Sequence, residues 1–170
     1  MNLLAELGLA CAESQDGALT NLDCKVIECD EIWSFCYAKQ KNVPEQFQGT
    51  PGYGDVWTWV AIDADTKLVP SWLVGERTNR DAYVFLSDLK SRLKGRVQLT
   101  ADGHQPYLSV IEPLFGADRV DFAQLIKLYG SDSGNDHRYS PGVCTGIEKR
   151  SSPATPTNHA SRRRTLNGRT

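Results

Sequence analysis

Residues 25–35, KVIECDEIWSF, have the composition of a β-strand and carry an acidic pair among apolar neighbours. Because strand side chains alternate, Glu28 and Asp30 share one face, whereas Glu31 lies on the other. A carboxylate in apolar surroundings is costly unless it meets water, an opposite charge or a cation. Two explanations stay open. The strand lies at an edge with its acidic face in water, or it presents Asp30 to a partner.

The length and composition are typical of a single globular domain. The chain has 170 residues, of which 40% are hydrophobic and 24% charged, with a net charge of −2, and this length is enough to bury a core. The five cysteines form no CxxC pair, which disfavours a zinc ribbon and a disulfide framework. No apolar run reaches the roughly 18 residues that span a bilayer, and the N-terminus lacks the basic start of a signal peptide. We therefore predict a cytoplasmic protein without a membrane partner.

The spacing of apolar residues predicts alternating strands and helices after an N-terminal helix. In chain order we predict a helix over 2–13, the strand 25–35, a β-hairpin over 55–73, a helix over 78–93, a strand over 96–100, a helix over 107–115, and a strand followed by a helical turn within 116–130. Polar, Gly- and Pro-containing stretches between these segments are predicted to be turns and loops.

The predicted order from the first strand onward is β-β-β-α-β-α. The first three strands form an antiparallel meander, and the helix over 78–93 crosses back, so that the fourth strand is parallel to one already in the sheet. This arrangement is the beginning of an RNase H-like α/β fold with a mixed sheet. In that fold the first and fourth strands are neighbours.

Such a sheet would bring Asp30 close to Asp102, which follows the strand 96–100 in the sequence TADGH. Two adjacent carboxylates repel each other. A Mg²⁺ ion removes the repulsion, because it accepts one or two carboxylates and completes its shell with water and phosphate oxygens. A pair of such ions supports in-line phosphoryl transfer, with water or a DNA 3′-hydroxyl as the nucleophile. In the alternative, Asp102 is only the first residue of a strand-to-helix turn. His104, which follows this turn, either contacts a phosphate or caps the helix that starts there.

Other acidic and aromatic residues have simpler interpretations. Asp63 and Asp65 fall in the predicted hairpin turn, where such residues are common. Trp57 and Trp59 share one strand face, and we predict both in the core.

Several segments resemble the insertion sequence 1 family of bacterial DDE transposases. They are CDEIWSF, DVWTWVAIDADTKLVPSWLVGERT, LTADGHQPY, FGADRVDFAQLIKLYG and RYSPGVCTGI, and the resemblance covers residues 1–149. It implies an RNase H-like fold that binds terminal inverted repeats and target DNA, and that cuts and joins DNA with Mg²⁺ or Mn²⁺. It also implies that Asp30 and Asp102 are the first two catalytic, metal-binding aspartates. The resemblance further implies association with the nucleoid, and it allows a homo-oligomer.

The chain departs from the family at both ends. Family members carry a zinc-finger-like and helix-turn-helix region before the CDEIW strand, whereas only residues 1–24 precede it here. We interpret these residues as an N-terminal helix and a remnant of the DNA-binding region, and residues 25–149 as the RNase H-like catalytic core. Members also carry a catalytic glutamate in a segment like STYVERQN after RYSP, and this chain instead ends in RSSPATPTNHASRRRTLNGRT.

A shifted reading frame explains this ending. With GC-rich codons from Arg150 onward, the alternative frame reads VVAGNPDQPRVSSTYVERQN, which resembles the missing family segment. We therefore predict a frameshift near Arg150, an out-of-frame disordered basic tail over 150–170, and a core that is incomplete at its C-terminal helix. The resulting protein would be a transposase with little or no activity. The alternative is a non-catalytic remnant that binds DNA or intact transposase and regulates transposition.

Overall fold

A computed structural model describes residues 2–129 and 144–151, which form a mixed α/β structure with a six-stranded sheet. The described elements are, in chain order, α1 (Leu3–Ala18), β1 (Val26–Cys36), β2 (Gly54–Asp63), β3 (Ser71–Gly75), α2 (Asn79–Arg92), β4 (Val97–Asp102), α3 (Gln105–Phe115), β5 (Val120–Tyr129) and β6 (Cys144–Ser151). Two short 3₁₀ turns lie in the connection between β1 and β2. None of the described helices combines the length and apolar content needed to cross a membrane.

The strands are arranged in the order β3-β2-β1-β4-β5-β6. β1 pairs with β2 in antiparallel and with β4 in parallel orientation, and β4 is also parallel to β5. The helix α2 makes the crossover from the β2–β3 hairpin to β4. The prediction that the first and fourth strands are neighbours is therefore confirmed.

The core lies between one face of the sheet and the helices α2 and α3. Thr78 caps α2, because its hydroxyl accepts a hydrogen bond from the Asp81 amide, as the N-cap preference of threonine predicts. Phe85 and Leu89 of this helix pack with Trp59 in one buried cluster. The opposite face is exposed or half-buried over β1, β2 and β3, so the sheet presents β1 side chains to solvent.

The helix α1 ends at Ala18, five residues beyond the predicted end at residue 13. Its last turns make contacts that a local pattern does not reveal. The Gln15 amide donates to the Val69 carbonyl oxygen at 2.9 Å, and Asp16 pairs with Arg92 of α2 at 2.6 Å. These partners continue the helix through the polar segment that was predicted to be a turn.

Two strand boundaries also differ from the predictions. β4 extends to Asp102, which pairs with Leu125 of β5. Asp102 therefore belongs to the strand rather than to the turn after it. Residues 120–129 form a single strand, and the helical turn predicted within this segment is wrong. The physical reason is that β5 has a hydrogen-bonding neighbour on each side, which favours extended backbone over a helical turn.

β6 is absent from the sequence predictions. It pairs antiparallel with β5, and it continues past the predicted core boundary at residue 149 through Arg150 to Ser151. Ser151 lies opposite Ala123, and Arg150 lies opposite Gln124. The backbone of β5 thus provides the hydrogen-bonding partner of β6, and the polar sequence of β6 alone does not indicate a strand. The rest of the predicted tail, 152–170, lies outside the described residues.

Candidate functional site

The parallel pairing of β1 with β4 brings the two predicted aspartates together. Cys29 lies opposite Ala101, and both are buried on the helix-covered face. The next residue on each strand is Asp30 and Asp102, and both project from the opposite, exposed face. Because paired strands lie about 4.8 Å apart, residues 72 positions apart in sequence become neighbours. Both line an open cavity of about 680 Å³.

Backbone amides orient both carboxylates. Asp30 Oδ1 accepts a hydrogen bond from the Glu31 amide at 2.9 Å, and Asp102 Oδ1 accepts one from the His104 amide at 3.0 Å. The second oxygen of each carboxylate, Oδ2, takes no part in these two hydrogen bonds. The two side chains are thus held as oxygen donors at the edge of the cavity.

The donor set fits one divalent cation. Mg²⁺ commonly binds proteins through one or two carboxylates and keeps water or phosphate oxygens in the remaining positions. A two-ion site would need a further carboxylate. Among residues 2–129 and 144–151, no three His, Cys, Asp or Glu side chains are grouped to hold a metal. Binding of Mg²⁺ or Mn²⁺ by Asp30 and Asp102 stays a prediction.

Glu31 is a buried carboxylate beside this pair whose environment sequence reasoning missed. Its side chain is only 1% exposed, and its Oε2 accepts two hydrogen bonds from Arg77, at 3.2 and 3.0 Å. The other oxygen, Oε1, has no hydrogen-bond partner. Burial raises the pKa of Glu31 and Asp102 adds to the increase, whereas Tyr107 and Arg77 oppose it. An acidic residue on the covered face of a strand requires a positively charged partner. The position of Glu31 on that face was therefore a signal in the sequence for a buried ion pair, although it did not identify Arg77 as the partner.

Arg77 connects the carboxylates with an aromatic side chain. Its Nη2 lies 3.0 Å from Glu31 and 3.8 Å from Asp102 Oδ2. Its guanidinium carbon lies 4.7 Å from the centre of the Trp57 ring. Trp57 is therefore half-buried beneath Arg77, and the prediction that it is a core residue like the buried Trp59 is wrong.

His104 occupies the N-cap position of α3, but its side chain makes no capping hydrogen bond. The ring packs 5.5 Å from Trp59 and 5.9 Å from Tyr107, and its buried Nε2 has no hydrogen-bond partner. Burial and Arg77 lower the pKa of His104 to about 4, although Asp102 opposes the shift. The imidazole is therefore neutral near pH 7, which disfavours the alternative that it binds phosphate as a cation.

Comparisons of the chain with protein-family models and with curated proteins find no match. Function is therefore inferred from two neighbouring carboxylates, a buried ion pair beside them and the sequence motifs. The arrangement provides oxygen ligands for a cation at an open cavity and a guanidinium at its border.

Proposed function

We propose that the chain is the RNase H-like catalytic core of an insertion sequence 1-type transposase, which binds a divalent cation through Asp30 and Asp102 and acts on DNA at element ends. One observation carries the proposal. The two aspartates of the CDEIWSF and TADGH motifs come from distant segments, yet they occupy adjacent positions on neighbouring parallel strands and line one cavity. The motif order in the sequence adds to this geometry.

The strand arrangement supports the finer assignment of the fold. An antiparallel meander followed by a helix and a parallel strand beside β1 is compatible with an RNase H-like sheet. The cavity lies at the carboxyl end of β4, beside Asp30 in the middle of β1. The carboxyl ends of parallel strands are a common place for ligands in α/β proteins.

In this function the two aspartates hold the cation, and the amides of Glu31 and His104 fix their orientation. The bound cation would stabilise negative charge on the reacting phosphate and lower the pKa of the attacking group. Arg77 borders the same cavity and places a positive charge beside Asp102. With two carboxylates in the site, we propose weak strand joining at most.

A second function is a non-catalytic protein that binds DNA and competes with active transposase. The position of Arg77 favours it, because the guanidinium interacts with both Glu31 and Asp102 beside the place proposed for the cation. A fixed positive charge there would repel a second ion while still attracting a phosphate group.

The test uses the purified chain, duplex oligonucleotides with the DNA that flanks its coding sequence, each ending in a 3′-hydroxyl, and a supercoiled plasmid as target. Mn²⁺ binding is measured by electron paramagnetic resonance, and joining is measured by gel electrophoresis with Mg²⁺ or Mn²⁺. We expect Asp30→Asn and Asp102→Asn to lose Mn²⁺ binding. Glu28→Gln is the matched control, because Glu28 lies on the same exposed face of β1 but not in the cavity.

The outcomes separate the two functions. Joining that Asp30→Asn abolishes and Glu28→Gln preserves supports the catalytic core. Retention of the oligonucleotides without joining supports the competitor. Mn²⁺ binding that is equal in the wild-type chain and in both aspartate variants would refute the cation site.

A further inference from the structure

A partly exposed aromatic surface lies where the C-terminal end of β1 pairs with the N-terminal end of β2, beyond the part of the sheet that the helices cover. It is formed by Trp33, Phe35 and Trp57, and we call it the aromatic platform. Trp33 lies opposite Trp57 in the antiparallel pair, and its ring centre is 5.8 Å from that of Phe35. Trp33 is 40% and Phe35 47% exposed. Trp57 is half-buried beside these two rings. Neighbouring exposed aromatic side chains such as Trp33 and Phe35 indicate a binding surface.

A basic side chain lies over each tryptophan of the aromatic platform. Lys39 Nζ is 5.1 Å from the centre of the Trp33 ring, and the guanidinium carbon of Arg77 is 4.7 Å from that of Trp57. Within the described residues Lys39 forms no ion pair, so its charge remains available to a ligand. The surface therefore offers aromatic rings, the charge of Lys39 and the guanidinium of Arg77, which is also bonded to Glu31.

Arg77 connects Trp57 of the aromatic platform with the carboxylate cavity. Arg77 lines the cavity that contains Asp30 and Asp102, and it also lines a second cavity of about 700 Å³ that includes Trp57 and Tyr53. A polymer bound along both cavities would pass Arg77 between the carboxylates and the Trp57 ring. The neighbouring rings of Phe47 and Tyr53 stack on each other at 4.7 Å within the β1–β2 connection, so that one face of each ring is covered.

We infer that the aromatic platform binds single-stranded DNA, with bases stacked on Trp33 and Trp57 and phosphates at Lys39 and Arg77. Proteins that bind single strands without sequence preference combine stacking rings with basic side chains in this way. The cores of protein–protein interfaces, in contrast, are depleted in charged residues. Placing this strand next to a phosphodiester at the Asp30–Asp102 pair rests on the proposed function, whereas binding to the platform does not require a metal.

The test measures binding of a fluorescein-labelled oligodeoxythymidine by fluorescence anisotropy in EDTA. Trp33→Leu and Trp57→Leu keep an apolar side chain but remove the stacking ring. We expect each to weaken binding by about 5- to 150-fold, the range for one base on one aromatic ring. Trp72→Leu is the matched control, because Trp72 is 46% exposed on β3 and lies outside the platform.

A charge variant keeps the test valid if a tryptophan variant unfolds. Lys39→Gln alters an exposed side chain, and Lys41→Gln is its control in the same connection. We expect Lys39→Gln to weaken binding and to reduce its salt dependence, because a phosphate contact contributes to both. Equal affinities in Lys39→Gln and Lys41→Gln, or in Trp33→Leu and Trp72→Leu, would overturn the inference.

Two further results distinguish this inference from the proposed function. Oligonucleotide binding in EDTA that depends on Trp33, together with Mn²⁺ binding that is equal in the wild-type chain and in both aspartate variants, supports the aromatic platform and contradicts the catalytic core. Joining in Mg²⁺, together with oligonucleotide binding that Trp33→Leu and Trp57→Leu leave unchanged, contradicts the platform and supports the catalytic core. Self-association that Trp33→Leu abolishes, with unchanged DNA binding, would identify the surface as a protein interface and overturn the inference.

Discussion

Replacing Arg77 with methionine tests the buried ion pair beside the carboxylates. Glu31 is 1% exposed and depends on Arg77 for both hydrogen bonds to Oε2. Breaking a buried pair by removing one partner costs about 3–5 kcal/mol, because the other charge stays buried without compensation. Arg77 is 36% exposed, so water can partly replace it. We therefore expect Arg77→Met to lower the free energy of unfolding by roughly 2 kcal/mol.

A double-mutant cycle isolates the pair. Glu31→Gln removes the buried charge, so adding it to Arg77→Met should recover most of the lost stability, with a coupling energy of about 1–2 kcal/mol. The measurement is urea unfolding at pH 7, followed by circular dichroism. For a chain of this length a loss of about 2 kcal/mol also lowers Tm by about 4–8 °C.

The control is Arg80→Met, because Arg80 is an exposed arginine of α2 without an ion pair among the described residues. Its effect should stay within about 0.5 kcal/mol. Additive effects of Arg77→Met and Glu31→Gln, or an effect of Arg77→Met equal to that of Arg80→Met, would refute the reasoning.

Two other predictions concern a thiol and a surface carboxylate. In the native protein iodoacetamide should label Cys36, which is exposed, but not Cys29, which is 4% exposed. Burial raises the pKa of the Cys29 thiol, and Glu31 and Asp30 raise it further. Peptide mass spectrometry measures the labelling, and equal labelling of the two cysteines would contradict the burial of Cys29. The hydrogen bond from Arg96 lowers the pKa of Asp121, and carboxyl NMR titration should show it rising to its ordinary range in Arg96→Met. Because the folded-state pKa is depressed, the stability difference between wild type and Arg96→Met should be present at neutral pH and vanish as Asp121 is protonated in acid. A pH-independent difference would contradict this origin.

The order of the elements and the neighbourhood of β1 and β4 follow from local patterns. Alternating apolar residues define the strands, and Thr78 caps the start of α2. The turn after β2 is stabilised locally, because Asp63 Oδ2 accepts hydrogen bonds from the Thr66 amide and hydroxyl. Once these elements are known, the handedness of the crossover leaves few arrangements. The proximity of Asp30 and Asp102 could therefore be predicted from the sequence, although their metal-binding role stays a prediction.

Other features depend on contacts between distant segments. The polar strand β6 exists because β5 offers unpaired backbone groups, and α1 continues through Gln15 because Val69 accepts its hydrogen bond. No periodicity in the sequence indicates that β5 pairs with β6 or that Val69 bonds to Gln15.

The contacts around the aspartate pair also depend on distant segments. Residues 25–35 already contain the alternation that places Asp30 and Glu31 on opposite faces of one strand. That Arg77 reaches Glu31, Asp102 and the Trp57 ring depends on how the start of α2 packs against the sheet. Backbone alternation is a local property of the chain, whereas the direction of a long side chain is set by the burial and charge that surround it after folding.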